Sequence, residues 1–251
     1  MKGMVIVFDG DDTLWETESL YEDALTEAAE YVEDLGLEGA TWIQAQREYD
    51  LRNVTTMGLS SKRFPASCVQ AYRKVASNAG NSTSIMSEAR IRKIAESVFT
   101  QPAKLMPGVV DAINRASRWA PLALLTAGDQ TVQIRRIAHS GLATNFSCMR
   151  IVPRKTDAVF LEITEEFNAT PAKSWSIGNS LPSDINPALR AGLSAVWVPA
   201  DVWAYEHRET EVEKGRLLRA SSISEAVDEI IAQSPAALLE RQREPRPQSL
   251  E

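Results

Sequence analysis

The stretch that decides the fold is VIVFDGDDTLW, residues 5–15. Four apolar residues run into Asp9, Asp11 and Asp12, with Gly10 between the first two carboxylates and Thr13 after the last. A short, continuous apolar run bounded by turn residues reads as a strand buried on both faces of a sheet. Carboxylates crowded at its end repel one another, so their presence there needs a reason.

Similar runs recur downstream. LALLTAG (122–128), FSCMRIV (146–152), SWSIGN (174–179) and SAVWVP (194–199) read as further strands, the second of these four more mixed than the rest. Helical segments fall between them: 107–119, with Pro107 just inside its start; 129–141, with Asp129 as N-cap and Gly141 as stop; 156–168; and 183–193. Strand and helix in alternation predict an α/β fold with a doubly wound parallel sheet. Residues 16–104 break the alternation. They carry four helical patterns, at 19–36, 41–53, 61–80 (with Pro65 marking a start inside it) and 87–101. Some ninety residues exceed a plain crossover, so an inserted helical subdomain, roughly a four-helix bundle, is expected. The expected division is a core of residues 1–15 and 105–232, a helical cap of 16–104, and a disordered tail over 233–251 where Pro, Arg and Gln accumulate.

Bulk properties exclude several classes. The chain has 251 residues, 44% hydrophobic and 24% charged, as a globular protein does. No apolar run approaches the roughly 18–20 residues that span a bilayer, and MKGMVIVFDG meets acid too soon for a signal peptide. A cytoplasmic protein with no membrane partner is expected. The net charge of −7 argues against a nucleic-acid partner. Cys68 and Cys148 read as separate thiols, and His139 and His207 lie too far apart for a zinc pair. The oligomeric state is not legible.

In an open parallel sheet, ligands sit beyond the carboxyl ends of the strands. The residues just past each strand are therefore informative: Asp9, Asp11, Asp12 and Thr13 after the first; Thr126, Ala127 and Gly128 after the second; Lys155 after the third; Gly178, Asn179, Ser180 and Asp184 after the fourth. Taken singly, each has a plain reading. DGDD is a good turn, Thr126 a good helix cap, Lys155 an ordinary solvated lysine, and GNSLPSD a turn and cap. A calcium loop fails, because Leu14 and Leu20 stand where Gly and Glu are required.

In order and at these spacings, the four motifs resemble the haloacid dehalogenase superfamily of phosphatases and phosphotransferases. Asp9-Gly10-Asp11-Asp12-Thr13 is similar to its first motif, Thr126 to the second, Lys155 to the third and residues 178–184 to the fourth. The inserted helices match the branch with its cap between the first two motifs. The resemblance implies Asp9 as the nucleophile that forms an aspartyl-phosphate and Asp11 as general acid and base. It implies Thr126 as a donor to the phosphoryl group and Lys155 as a counter-charge. It further implies Mg²⁺ held by the Asp9 carboxylate, the Asp11 main-chain carbonyl and Asp184, a hard cation that makes the crowding of carboxylates tolerable. Asn179 stands where many members have Asp. It either lends a neutral oxygen to the ion or orients a water beside it. Asp12 is expected to bond locally rather than to the ion. Ala127 and Gly128 would line the phosphate site. Lys62 and Arg63, before a cap helix, are candidates to bind an anionic group of the substrate, a small phosphorylated metabolite.

The implied function is Mg²⁺-dependent hydrolysis of a phosphomonoester. The alternatives are a phosphomutase, a 2-haloacid dehalogenase (which has no use for Asp11) and an inactive phosphate-binding regulator.

Overall fold

A computed structural model describes residues 3–102, 104–200 and 217–233. The expected tail lies, from residue 234 onward, outside the described residues.

The chain begins with β1 (Ile6–Phe8) and a two-residue strand β2 (Trp15–Glu16). Then come α1 (Glu18–Asp34), α2 (Gly39–Met57), α3 (Arg63–Asn78) and α4 (Ile85–Glu96). A second two-residue strand, β3 (Lys104–Leu105), leads into α5 (Val109–Ala116), β4 (Leu122–Ala127), α6 (Gln130–Ser140), β5 (Cys148–Val152) and α7 (Asp157–Glu166). The rest comprises β6 (Trp175–Gly178), a π-helical turn (Leu181–Ile185), α8 (Asn186–Arg190), β7 (Ser194–Trp197), β8 (Leu217–Arg219) and α9 (Ile223–Ala232).

Six strands form one parallel sheet in the order β5-β4-β1-β6-β7-β8. This is the doubly wound α/β arrangement. From β1 the sheet grows one way through β4 and β5 and the other way through β6, β7 and β8. The strand order reverses at β1, and the crevice beyond its carboxyl end is where such sheets bind ligands.

Successive residues of β1 point to opposite faces. Ile6 and Phe8 join the cluster under α5 and α9, with Val109, Ile113, Ile223 and Val227. Val5 and Val7 join the cluster under α7, with Phe160 and Ile163. Both faces are dry, which is why the run is apolar without alternation. β5 is an edge strand and only half-buried, hence its mixed sequence. There Arg150 lies across Glu162 and Glu166 of α7, at 3.2 and 2.7 Å, placing charge on the open edge.

The four inserted helices have their own core. Ala24, Ala28 and Val32 make one stripe of α1 and pack with Trp42, Phe64, Val69, Tyr72 and Ile91. Trp42 is fully buried, and its indole donates to the Cys68 carbonyl at 3.2 Å. The chain leaves for this unit and returns from it through an antiparallel ribbon, with Trp15 opposite Leu105 and Glu16 opposite Lys104.

Pro65 lies inside the first turn of α3, which starts at Arg63, where a missing N–H costs nothing. Three details differ from the sequence reading. The ribbon, too short to carry a periodic pattern, is the first. The helix expected over 183–193 is a π turn followed by five residues of α-helix, with Pro187 denying the ladder a donor. β8 and α9 add a sixth strand and a covering helix that the sequence reading does not separate. Among the described residues, no helix is long and apolar enough to cross a membrane.

Candidate active site

The three opening carboxylates have three different sets of partners. Asp9, at the end of β1, is buried. Its Oδ1 receives the Lys155 ammonium, and its Oδ2 receives the Thr13 hydroxyl at 2.8 Å. Asp11 accepts from Trp15 Nε1 on Oδ1 at 2.6 Å, and from Arg136 and Gln133 on Oδ2 at 2.6 and 2.8 Å. Asp12 turns back to α1, accepting from the N–H groups of Thr17 and Glu18 at 2.8 and 2.9 Å. Asp12 has φ +56°, a left-handed conformation that Asp tolerates through such local bonds. Asp12→Ala should therefore cost about 1–3 kcal/mol in urea unfolding, from the lost cap and the strained backbone together. Asp12→Asn should recover most of it.

Gly10 has to be glycine. A Cβ there would stand 2.5 Å from the Trp15 ring, which is locked in the core.

Lys155 comes shortly after β5, and Asp184 lies in the π turn after β6. Both are buried, and the ammonium bonds Asp184 Oδ1 at 2.6 Å as well as Asp9. The other Asp184 oxygen receives the Ser180 N–H at 3.0 Å. Burial pushes the Asp9 carboxyl above the usual carboxylate range, and the charge of Asp184 adds to this while Lys155 opposes it. Burial works against the charge on Lys155, but the two carboxylates outweigh it and hold the ammonium above the ordinary lysine range. Two acids thus share one base at the strand ends. Gly178 is the companion to this packing, since a Cβ there would overlap the Asp184 side chain. Gly178→Ala is expected to displace Asp184 and cost about 1–3 kcal/mol by overpacking, read from a thermal melt.

Thr126, at the end of β4, is buried, and its hydroxyl has no hydrogen-bond partner among the described residues. Asn179 is buried beside Thr13, with its Oδ1 3.3 Å from the hydroxyl, and its own carbonyl accepts from Trp197 Nε1 at 2.8 Å.

These residues form the floor of a cavity of about 450 Å³ between the sheet edge and the inserted helices. Ala127 and Gly128 lie in its wall. From the helices come Tyr21, Leu25, Gln46, Asp50, Arg63 and Phe64. The structure separates the basic pair expected from sequence: Arg63 is a wall residue, 3.3 Å from Asp50, whereas Lys62 is exposed and stands outside the wall. Asp50 also accepts from Ser67 at 2.9 Å, and burial pushes its carboxyl up against the pull of Arg63.

Among the wall residues that escape sequence reasoning are Gln46, Gln133 and Arg136. The last two are legible in principle. If Asp129 caps a helix, positions 133 and 136 fall on one face with Val132, placing polar residues where an apolar stripe belongs.

Among the described residues, no three His, Cys, Asp or Glu side chains gather into a metal site by themselves. The floor does offer oxygen donors: the carboxylates of Asp9 and Asp184, both bonded by the Lys155 ammonium, and the amide oxygen of Asn179, which accepts from the Thr13 hydroxyl that also bonds Asp9. Two carboxylates with neutral oxygens suit Mg²⁺, which keeps several waters, better than a softer metal.

The family model for haloacid dehalogenase-like hydrolases matches residues 4–192. The chain belongs to this hydrolase family. Among solved structures it is similar to a haloacid dehalogenase-like family hydrolase from Xanthomonas campestris (TM-score 0.74, 22% identity, covering 95% of this chain and 99% of that one). It is also similar to the HAD-hydrolase YfnB from Bacillus subtilis bound to magnesium (0.61, 18%, 92% and 99%). A third is the L-2-haloacid dehalogenase from Xanthobacter autotrophicus with chloropropionic acid covalently bound (0.59, 16%, 92% and 100%). At these identities the likeness is one of fold. No curated protein matches the sequence significantly.

Proposed function

We propose that the protein hydrolyses a small phosphomonoester with Mg²⁺ as cofactor, and that the inserted helices act as a cap over the site. The observation that carries this reading is the second carboxylate. Asp11 stands two residues from Asp9 in the same cavity wall. A departing halide needs no proton, but a departing alkoxide does. Asp11 thus favours a phosphatase over a dehalogenase, although one neighbour by fold is a dehalogenase.

Asp9 Oδ attacks phosphorus, forming an aspartyl-phosphate and breaking the bond to the ester oxygen. That oxygen takes a proton from Asp11 and leaves as an alcohol. Asp11 then accepts a proton from water as the water attacks phosphorus, releasing phosphate and restoring the Asp9 carboxylate. The Thr126 hydroxyl, without a partner among the described residues, would donate to a phosphoryl oxygen, and Lys155 offsets charge on Asp9. Mg²⁺, held by Asp9, Asp184 and the Asp11 carbonyl with Asn179 beside them, would supply charge neutralisation for the phosphoryl group. Arg63, paired with Asp50 in the cavity wall, would meet a polar group on the rest of the substrate. The substrate partner is a small phosphorylated metabolite that fits the cavity.

The test is turnover of 4-nitrophenyl phosphate with excess Mg²⁺ and after chelation. Chelation is expected to reduce the rate at least about 10²-fold, reversibly. No turnover with Mg²⁺, or turnover indifferent to chelation, overturns the reading. Chloride release from 2-chloropropionate, run alongside, is expected to be nil.

A further inference from the structure

Arg136 and Gln133 lie one turn apart on α6, outside all four motifs. Both are almost fully buried, at 4% and 2% exposure, and both border the cavity. A buried guanidinium needs a counter-charge, and Arg136 finds it in Asp11 at 2.6 Å. Gln133 bonds the same Asp11 oxygen at 2.8 Å and anchors itself on the Ala127 carbonyl at 3.2 Å. The opposite oxygen, Oδ1, has one side-chain donor among the described residues, the Trp15 indole at 2.6 Å.

A carboxylate oxygen has two good lone-pair sites. Oδ2 spends both, on Arg136 and Gln133. Oδ1 spends one, on Trp15. Three donors from two elements also fix the plane of the carboxyl group. We propose that Arg136 and Gln133 are positioning residues for Asp11: they hold Oδ2 and leave Oδ1 as the oxygen that gives and takes the proton. This deepens the phosphatase reading and rests on it. It also gives Gln133 a reason to be buried in the stripe of α6 where an apolar residue would pack better.

A salt bridge that merely braced the fold would slow every substrate alike. In the step that expels the alcohol, which kcat/KM reports free of the later attack of water, a device that aims a proton donor matters only when the leaving oxygen needs a proton. The two are separated by comparing 2,4-dinitrophenyl phosphate, whose leaving group departs unaided, with phenyl phosphate, whose leaving group does not. For Arg136→Met, kcat/KM on phenyl phosphate is expected to fall about 30- to 100-fold and on the dinitrophenyl ester less than about fivefold. Gln133→Leu should show the same split at about 3- to 10-fold, and it is the milder variant if Arg136→Met does not fold. Methylguanidinium should restore part of the phenyl phosphate rate to Arg136→Met. In an Asp11→Asn background, Arg136→Met should add nothing to the loss on phenyl phosphate, since the effect runs through Asp11.

Equal losses on the two esters overturn the proposal, as does an additive loss in the Asp11→Asn background. So does a rise in KM at constant kcat, which would make Arg136 a substrate contact instead. These outcomes leave the phosphatase reading standing as long as the wild type turns over both esters with Mg²⁺. If the wild type hydrolyses neither, the phosphatase reading has failed and takes this proposal with it.

Discussion

Asp9→Asn is expected to lower phosphate-ester hydrolysis at least about 10⁴-fold, because it removes the group proposed to form the covalent intermediate. The substitution keeps the size and shape of the side chain. The amide oxygen can still accept from Lys155, and the amide nitrogen can donate to the Thr13 hydroxyl, so the packing at the end of β1 survives. Stability gives the complementary readout. Burial already disfavours the charge on Asp9, and Asp184 next to it disfavours it further. Neutralising Asp9 leaves Lys155 paired one-to-one with Asp184. Without metal, the variant is expected to unfold at the same urea concentration as wild type or a higher one. An inactive variant that is no less stable separates chemistry from folding. Residual activity within tenfold of wild type would show that Asp9 is not the nucleophile.

Lys155→Met reverses that logic and has the largest expected effect on stability. Methionine matches the stem of lysine but brings no charge, so two buried carboxylates are left facing each other with no cation. Breaking a buried pair in this way costs about 3–5 kcal/mol. Here a single ammonium serves both Asp9 and Asp184, but Asp9, whose charge burial already disfavours, can take up a proton, which places the expectation toward the lower end. Urea denaturation in chelator checks it. Mg²⁺ should then raise the melting temperature of the variant by more than it raises that of wild type, since the ion replaces a missing positive charge instead of adding to one. A variant as stable as wild type in chelator would mean that the carboxylates are not both charged in the folded protein. Activity should fall as well, through loss of the counter-charge on Asp9.

The legible part of the site is the part that obeys one rule, that ligands meet the carboxyl ends of parallel strands. Asp9 and Asp184 lie 146 and 29 residues from Lys155, yet one ammonium touches both acids. No local pattern says so. The strand order does, because β1 lies between β4 and β6, and β5 flanks β4. The rule says nothing about helices, so Gln133 and Arg136 go unread although they hold Asp11 directly. Nor does it resolve which of two adjacent basic residues faces inward. Lys62 and Arg63 are indistinguishable by composition, and the hundred-degree step between neighbours on a helix sends one to solvent and the other to the cavity. The ribbon of β2 and β3 leaves no trace for a different reason. Its two residues per strand make a single period of a strand pattern, too few to repeat. β8 is similar, three residues long, half-buried and at the sheet edge, so its sequence carries little signal.

Trp15 holds a position whose consequence is mechanical. Its backbone is one half of the ribbon through which the chain passes to the helices, its ring is fixed in the core beneath the sheet, and its indole nitrogen grips Asp11. Asp12, three residues earlier, is tied to the first turn of α1. A tilt of α1 about the ribbon is therefore geared to the loop between Asp9 and Trp15, with a long arm on the side of the helices and a short one at the carboxylates. A swing of several ångströms at the far end of the helices reaches Asp11 as a fraction of an ångström, the scale on which a hydrogen bond is made or lost.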